Sequence, residues 1–368
     1  MNKRLLIAFG TRPEAIKLAP LIREASVRSG KWDVHTCSTG QHSALLRQVL
    51  DVFQLQPTYT LKVMKAGQTL SQLSARLLAA VPPILQQNCF DAVIVQGDTT
   101  TAFCVALAAF YEKIPVVHIE AGLRTNNRYA PFPEEINRRL LSHIASYHFA
   151  PTSWAKQNLL CENVPAECIY VVGNTIVDAL KHILEIDYPL PRKLEALLRR
   201  PLVMITHHRR ESFGEPIDKV FAAIREIAAT HPDIAFVFPV HPNPAVRQAV
   251  DKHFRTVSNV VTLPPLTYPV FVKLMRSALF LITDSGGIQE EATALGKKVL
   301  LTRNTTERPE AVTTGWVKLV GDNPASIVSA AEELLHSAPE SPWSGFYGSP
   351  YGDGHASEKI LDILEGVL

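Results

Sequence analysis

A chain of 368 residues is long for a single hydrophobic core, so two domains are expected. With 46% hydrophobic and 20% charged residues the composition is globular, and 37 Lys+Arg against 35 Asp+Glu lack the basic excess of a nucleic-acid binder. No apolar run approaches the roughly 20 residues that span a bilayer. The apolar start after Lys3-Arg4, about six residues, is too short for a secretory segment, so no membrane partner and a cytoplasmic location are expected.

In chain order, short β-branched apolar runs predict strands at 4–9, 34–38, 92–96, 116–119 and 147–150, and helical periodicity fills 14–29, 43–53, 70–85, 100–111 and 134–144. A further strand is expected at 169–172. The second half repeats the alternation, with strands at 202–206, 235–239, 260–263, 279–283 and 299–302 and helices at 217–229 and 287–295. Continuous apolar strands joined by helical crossovers specify parallel sheets covered on both faces. The fold class is therefore α/β, with two doubly wound, Rossmann-like domains. Tyr188-Pro189-Leu190-Pro191 breaks regular structure, but Gly173-Asn174-Thr175 already leads from a strand into a helix. The boundary is set near Val172, giving domains 1–172 and 173–350.

The five cysteines are odd in number and form no C-x-x-C pair, which argues against a disulfide framework and against structural zinc. Cys37 and Cys104 sit in apolar runs and read as small hydrophobes. Neither a Gly-x-Gly-x-x-Gly fingerprint nor a P-loop is present, so no local motif calls for NAD.

Parallel sheets place ligands beyond the carboxyl ends of their strands, and polar residues gather there. The first strand runs into Gly10-Thr11-Arg12-Pro13-Glu14, which places Arg12 at a positive helix end, with Lys17 about one turn further. Solvated surface charge is the other reading of both. After the strand at 92–96, Asp98 either caps the next helix or serves as an acid–base group. Glu120 follows a strand and precedes a long loop, which leaves it no capping role. Glu134 opens a helix, where an acidic residue also suits the dipole. Carboxylates clustered at strand ends suit proton transfer.

In the second half, the strand at 202–206 leads into His207-His208-Arg209. Alternation along a strand would point the two histidines to opposite faces, so an acid–base or phosphate role for one of them is favoured over a shared metal ion. His241, before Pro242-Asn243-Pro244, reads as a loop-holding residue. Asp284-Ser285-Gly286-Gly287 joins a strand to a helix start in the form of a phosphate-binding site, with Glu291 one turn in, where a carboxylate can take ribose hydroxyls.

Together, GTRPEAIKLAP from Gly10, GDTTT from Gly97, HIEAGLRT from His118, PFPEEINR from Pro131, HRRESFG from His208, TDSGGIQEEA from Thr283, TTERPEAVT from Thr305 and PYGDGHA from Pro350 resemble the non-hydrolysing UDP-N-acetylglucosamine 2-epimerase family, essentially end to end. The resemblance implies two domains facing a cleft, similar to the GT-B glycosyltransferase fold, with a helix in 351–368 packing back onto the first domain. It implies a homodimer that interconverts UDP-GlcNAc and UDP-ManNAc by eliminating and re-adding UDP, with no cofactor and no metal. By resemblance, Asp98, Glu120, Glu134 and His208 match catalytic positions. Arg12, Lys17, Phe271 (on uracil), Ser285, Gly286, Gly287, Glu291 (on ribose) and Arg308 match substrate contacts. Gln41, Arg209 and His241 match part of an allosteric substrate site, from which Ala44 and Gly67 depart. Leu266 stands where some relatives carry a glutamine near the uracil. A hydrolysing epimerase, a GT-B glycosyltransferase and a catalytically silent nucleotide-sugar sensor are the competing readings. Glu14-Ala15 differs from the Asp-Phe that hydrolysing relatives carry there, and a sensor would not need the acids.

Overall fold

The structure, a computed structural model, describes residues 2–40, 44–65, 67–209, 212–337, 345–346 and 348–368. It divides into two compact units, Met1–His182 with Tyr351–Leu368, and Ile183–Pro350.

Unit 1 carries a seven-stranded sheet of order β3-β2-β1-β4-β5-β6-β7. Its strands are β1 Lys3–Phe9, β2 Trp32–Ser38, β3 Tyr59–Thr60, β4 Ala92–Gln96, β5 Val116–Ile119, β6 Tyr147–Ala150 and β7 Ile169–Val171. Every pairing is parallel. The central strands are apolar on both faces because helices cover both: β4, Ala-Val-Ile-Val-Gln, is buried at every position. Strand order reverses between β1 and β4, which leaves a crevice at their carboxyl ends.

Unit 2 repeats the topology with six strands in the order β10-β9-β8-β11-β12-β13. These are β8 Leu202–Thr206, β9 Ala235–Pro239, β10 Val260–Leu263, β11 Phe280–Thr283, β12 Lys298–Leu301 and β13 Val317–Leu319, again all parallel. Its core centres on Phe221, whose ring meets Phe238 edge-on at 5.5 Å and Phe254 at 5.0 Å. The switch point lies between β8 and β11.

Several elements depart from expectation for local reasons. The single helix expected over 70–85 is two, Leu70–Ala80 and Pro82–Gln87, because Pro82 and Pro83 bring no amide hydrogen to continue the ladder. Edge strands β3 and β13, two and three residues long, are too short for periodicity to reveal. The units part later than Val172, because the helix Thr175–Glu185 is fastened into unit 1. The Asp178 carboxylate accepts the amides of Ala356 and Ser357 at 3.2 and 2.7 Å, the Asn174 amide donates to Tyr351 O at 2.7 Å, and His182 stacks on Phe53 at 5.4 Å. These bonds seat the last helix, Ala356–Val367, on unit 1. Among the described residues no helix is long and apolar enough to cross a membrane.

Candidate functional site

In unit 1 the carboxyl ends of β1, β4 and β5 converge on buried charge. Arg12 is the first residue of the helix Arg12–Val27 and is half-buried. One turn on, Lys17 is buried at 6% exposure and its ammonium donates to Oε2 of Glu120, itself 8% exposed. The Gln96 amide donates to the same oxygen at 2.6 Å. Glu120 sits at φ 65°, a left-handed conformation that costs a non-glycine residue about 1–2 kcal/mol and persists only where surroundings enforce it. Surface charge is thus not the role of Lys17 or Glu120.

Asp98 does not cap its helix. Thr99 does, accepting the Ala102 amide at 3.0 Å, which leaves the Asp98 side chain to an ion pair with Arg138. Glu134 is the first residue of the helix Glu134–Ile144 and is half-buried. Glu14, 1% exposed, accepts the amides of Gly10 and Thr11 at 3.1 and 2.7 Å and the Thr99 hydroxyl at 2.7 Å. It therefore laces the loop after β1 to the loop after β4. Burial raises its carboxyl above the ordinary range despite those bonds.

In unit 2 the histidines lie past the end of β8, and the expectation that they diverge fails. His207 Nδ1 and His208 Nδ1 each stand 3.3 Å from a different oxygen of Asp284. That carboxylate is fully buried and also accepts the amides of His208 and Arg209, the latter at 2.8 Å. Burial alone would raise its pKa, but the His208 imidazole and the amides outweigh it and hold Asp284 well below the usual range. His207 is almost wholly buried against Phe221 and is pushed towards its neutral form. His208 keeps 40% of its side chain exposed. His241 lies tilted over His208 with centroids 5.8 Å apart, and its Nδ1 accepts the Asn243 amide at 3.3 Å, the loop-holding bond expected of it.

After β11 the helix Gly286–Ala294 begins at Ser285 without a side-chain cap. The two glycines differ. A Cβ on Gly286 would meet Arg308 Nη1 and Glu307 Oε1, each at 2.6 Å, whereas one on Gly287 would meet nothing within 4 Å. Close approach therefore explains Gly286, while Gly287 keeps one side of the helix start open. Behind Gly286, Arg308 donates to Glu290 at 2.7 Å and Glu307 at 2.5 Å, Arg303 donates to Glu307 at 3.0 Å, and Arg209 stands 3.6 Å from Glu307. The Arg308 guanidinium thus serves this buried network. Glu291 is nearly buried one turn into the helix, and Phe271 is half-buried in the helix Tyr268–Ser277, which follows β10. Gln41 lies outside the described residues, as do Arg210 and Glu211 of the HRRESFG segment.

Sequence reasoning passed over Asp284, Arg138, Asn137 and Glu135. Each stands inside a motif quoted above, but its neighbour carried the more familiar chemistry. Glu135, with no exposed surface, accepts the amides of Thr125 and Asn126 at 3.0 and 3.1 Å and an Arg138 N–H at 3.2 Å. His118 was also missed. Fully buried, its Nε2 pairs with Gly97 O at 2.7 Å, and burial drives its pKa down to about 3, so it stands neutral beside the Asp98 loop. Among the described residues no group of three or more His, Cys, Asp or Glu is placed to hold a metal.

The structure thus has two doubly wound units, with an uncapped helix start at one switch point and buried carboxylate–cation pairs at the other. The fold is shared by a glycotransferase of kitacinnamycin, at TM-score 0.62 and 13% identity over 98% of each chain. Residues 25–365 match the family model described as UDP-N-acetylglucosamine 2-epimerase, and the chain belongs to that family. It is 45% identical to the UDP-N-acetylglucosamine 2-epimerase of Escherichia coli K12 over 98% of both chains. It also superposes on the UDP-GlcNAc 2-epimerase of Neisseria meningitidis bound to UDP-GlcNAc, with TM-score 0.91 and 42% identity, over 98% of this chain and 99% of that one.

Proposed function

We propose that this family member interconverts UDP-GlcNAc and UDP-ManNAc by the non-hydrolysing route, as a cytoplasmic homodimer without a cofactor. The hydrogen on carbon 2 has no adjacent carbonyl and is too weakly acidic for simple removal. Loss of that proton together with cleavage of the bond between carbon 1 and UDP gives 2-acetamidoglucal. UDP then adds back to carbon 1 as a proton returns to the opposite face of carbon 2. Elimination and re-addition move only a proton and UDP, with no hydride transfer, so neither step calls for a nicotinamide.

In this reading Asp98, Glu120 and Glu134 share the proton transfers. Arg12, His208 and the helix start at Ser285-Gly286-Gly287 stabilise charge on the departing diphosphate, and Lys17 contacts the substrate from beside Glu120. Phe271 packs on uracil, Glu291 takes the ribose, and Arg308 supports the phosphate loop from behind Gly286. The observation that carries the reading is Glu120, buried, in a left-handed conformation and held by Lys17 and Gln96. A mere nucleotide-sugar binder has no use for it. Glu14 supports the non-hydrolysing branch, because the loop brace rests on the glutamate that hydrolysing relatives replace.

The test is proton NMR of UDP-GlcNAc with the protein in deuterated water. UDP-ManNAc, with deuterium at carbon 2 of both sugars, is expected. Free ManNAc and UDP would make the enzyme hydrolytic, and no change at carbon 2 without an added acceptor would return it to the transferases.

A further inference from the structure

Two bonds from the helix Glu134–Ile144 to the loop after β4 land on Asp98. The Asn137 amide donates to Asp98 O at 2.9 Å, and the Arg138 guanidinium donates to the Asp98 carboxylate. Positions 134, 137 and 138 follow the i, i+3, i+4 spacing of one helix face, so the face that grips Asp98 is the one that carries Glu134. Arg138 is fixed from its other side by Glu135, and its side chain is only 4% exposed. His118 pins the preceding carbonyl, Gly97 O, from β5. Asp98 is thus held through its carboxylate, its own carbonyl and the carbonyl before it, by groups from two other elements.

We propose that Arg138 and Asn137 are a positioning pair that fixes the separation and aim of the Asp98 carboxylate relative to Glu134. Neither residue needs to touch the sugar. The pair acts through Asp98, and the proposal rests on Asp98 taking part in the reaction. A charge-assisted bond from a guanidinium that is itself locked leaves the carboxylate one orientation, and an acid–base group must meet its proton within hydrogen-bond reach. The adjacent acids of PFPEEINR then divide the labour: Glu134 faces Asp98, and Glu135 holds the arginine that aims it.

The test is a double-mutant cycle on the full-length enzyme, with steady-state rates for UDP-GlcNAc, deuterium entry at carbon 2 and a thermal melt for each variant. In Arg138→Met, kcat is expected to fall by roughly 10²-fold, the loss that follows a displacement of about 1 Å, while KM holds. Added guanidinium ion restores part of that loss. Asn137→Ala, which removes only the carbonyl bond, shows the same kcat-only pattern at smaller size and keeps the cycle readable should Arg138→Met fail to fold. The decisive comparison is with Asp98→Asn: once Asp98 is neutral, removing Arg138 or Asn137 costs little more. Losses that instead multiply across the cycle, or a rise in KM with kcat intact, would make Arg138 a direct substrate contact and overturn the proposal. An Asp98→Asn enzyme at the parent rate would overturn the role given to Asp98, and the positioning role would fall with it.

Discussion

Both units are doubly wound on the same strand order, yet they use their switch points in opposite ways. In unit 1 the strand ends present side chains, and two of the carboxylates meet cations from other elements: Glu120 meets Lys17, and Asp98 meets Arg138. In unit 2 the Asp284–histidine cluster past β8 and β11 is joined by an uncapped helix start that offers backbone. The helix start at Gly286 stands open at Gly287, while Glu290, Glu307 and Arg308 are sunk behind it. The shared topology sets the edge at which each unit offers its polar groups, and under the proposed roles the residues at that edge set what it does there.

The sharpest way to break this division is to damage unit 1 and measure unit 2. Glu120→Gln keeps a hydrogen-bonding side chain of the same shape but removes the charge opposite Lys17. Turnover is expected to drop by roughly 10²–10⁴-fold, the range for loss of an acid–base group. Calorimetric binding of UDP alone should hold at the parent value. Loss of UDP binding in step with turnover would show that Glu120 serves the binding of UDP and not the proton transfer alone.

The two glycines of unit 2 sharpen the contrast. Gly286→Ala brings a methyl against the tips of Arg308 and Glu307, which must shift out of their ion pairs with Glu290 and Arg303, and should lower the melting temperature. Gly287→Ala meets no neighbour within 4 Å and should melt at or slightly above the parent. Its methyl projects into the open side of the helix start, so UDP affinity should fall about tenfold, or about 1.4 kcal/mol. An alanine at 287 that binds UDP normally would remove that helix start from the anion site.

How far the sequence could foresee this differs between the units. The parallel architecture was readable because buried strands give unbroken apolar runs, as in Ala-Val-Ile-Val-Gln at 92–96. The strand-to-helix turn at Gly286-Gly287 was readable because it is a local backbone requirement. Partnerships across the chain were not. Nothing near Asp98 announces Arg138, and nothing near Asp284 announces that two adjacent histidines both turn towards it. The histidine expectation failed because strand alternation was applied to residues that lie beyond the strand. Asp98 read equally well as a helix cap until Thr99 was seen to hold that position. Boundaries slipped for the same reason: Asp178 and Asn174 belong to unit 1 through bonds to residues 351–357, far along the chain.

The smallest expected effect lies in pH, where the units should show opposite slopes. Glu14 and Asp284 are both buried carboxyls that accept backbone amides, but only Asp284 also faces imidazoles. Burial prevails at Glu14, so its pKa is raised from an ordinary 4.5; it is outweighed at Asp284, so that pKa is lowered from 3.8. By linkage, the stability contributed by Asp284 is complete above its unfolded pKa and is lost as pH falls below that value. The contribution from Glu14 is complete below 4.5 and is lost as pH rises through its folded pKa. Melting Glu14→Gln and Asp284→Asn beside the parent from about pH 3 to about pH 8 separates the two. The stability gap to Asp284→Asn should shrink towards acid, and the gap to Glu14→Gln should shrink towards neutrality. Parallel slopes would mean that the Glu14 carboxylate is as well compensated as that of Asp284, so that amides and a hydroxyl alone suffice to keep a buried acid ionised in unit 1.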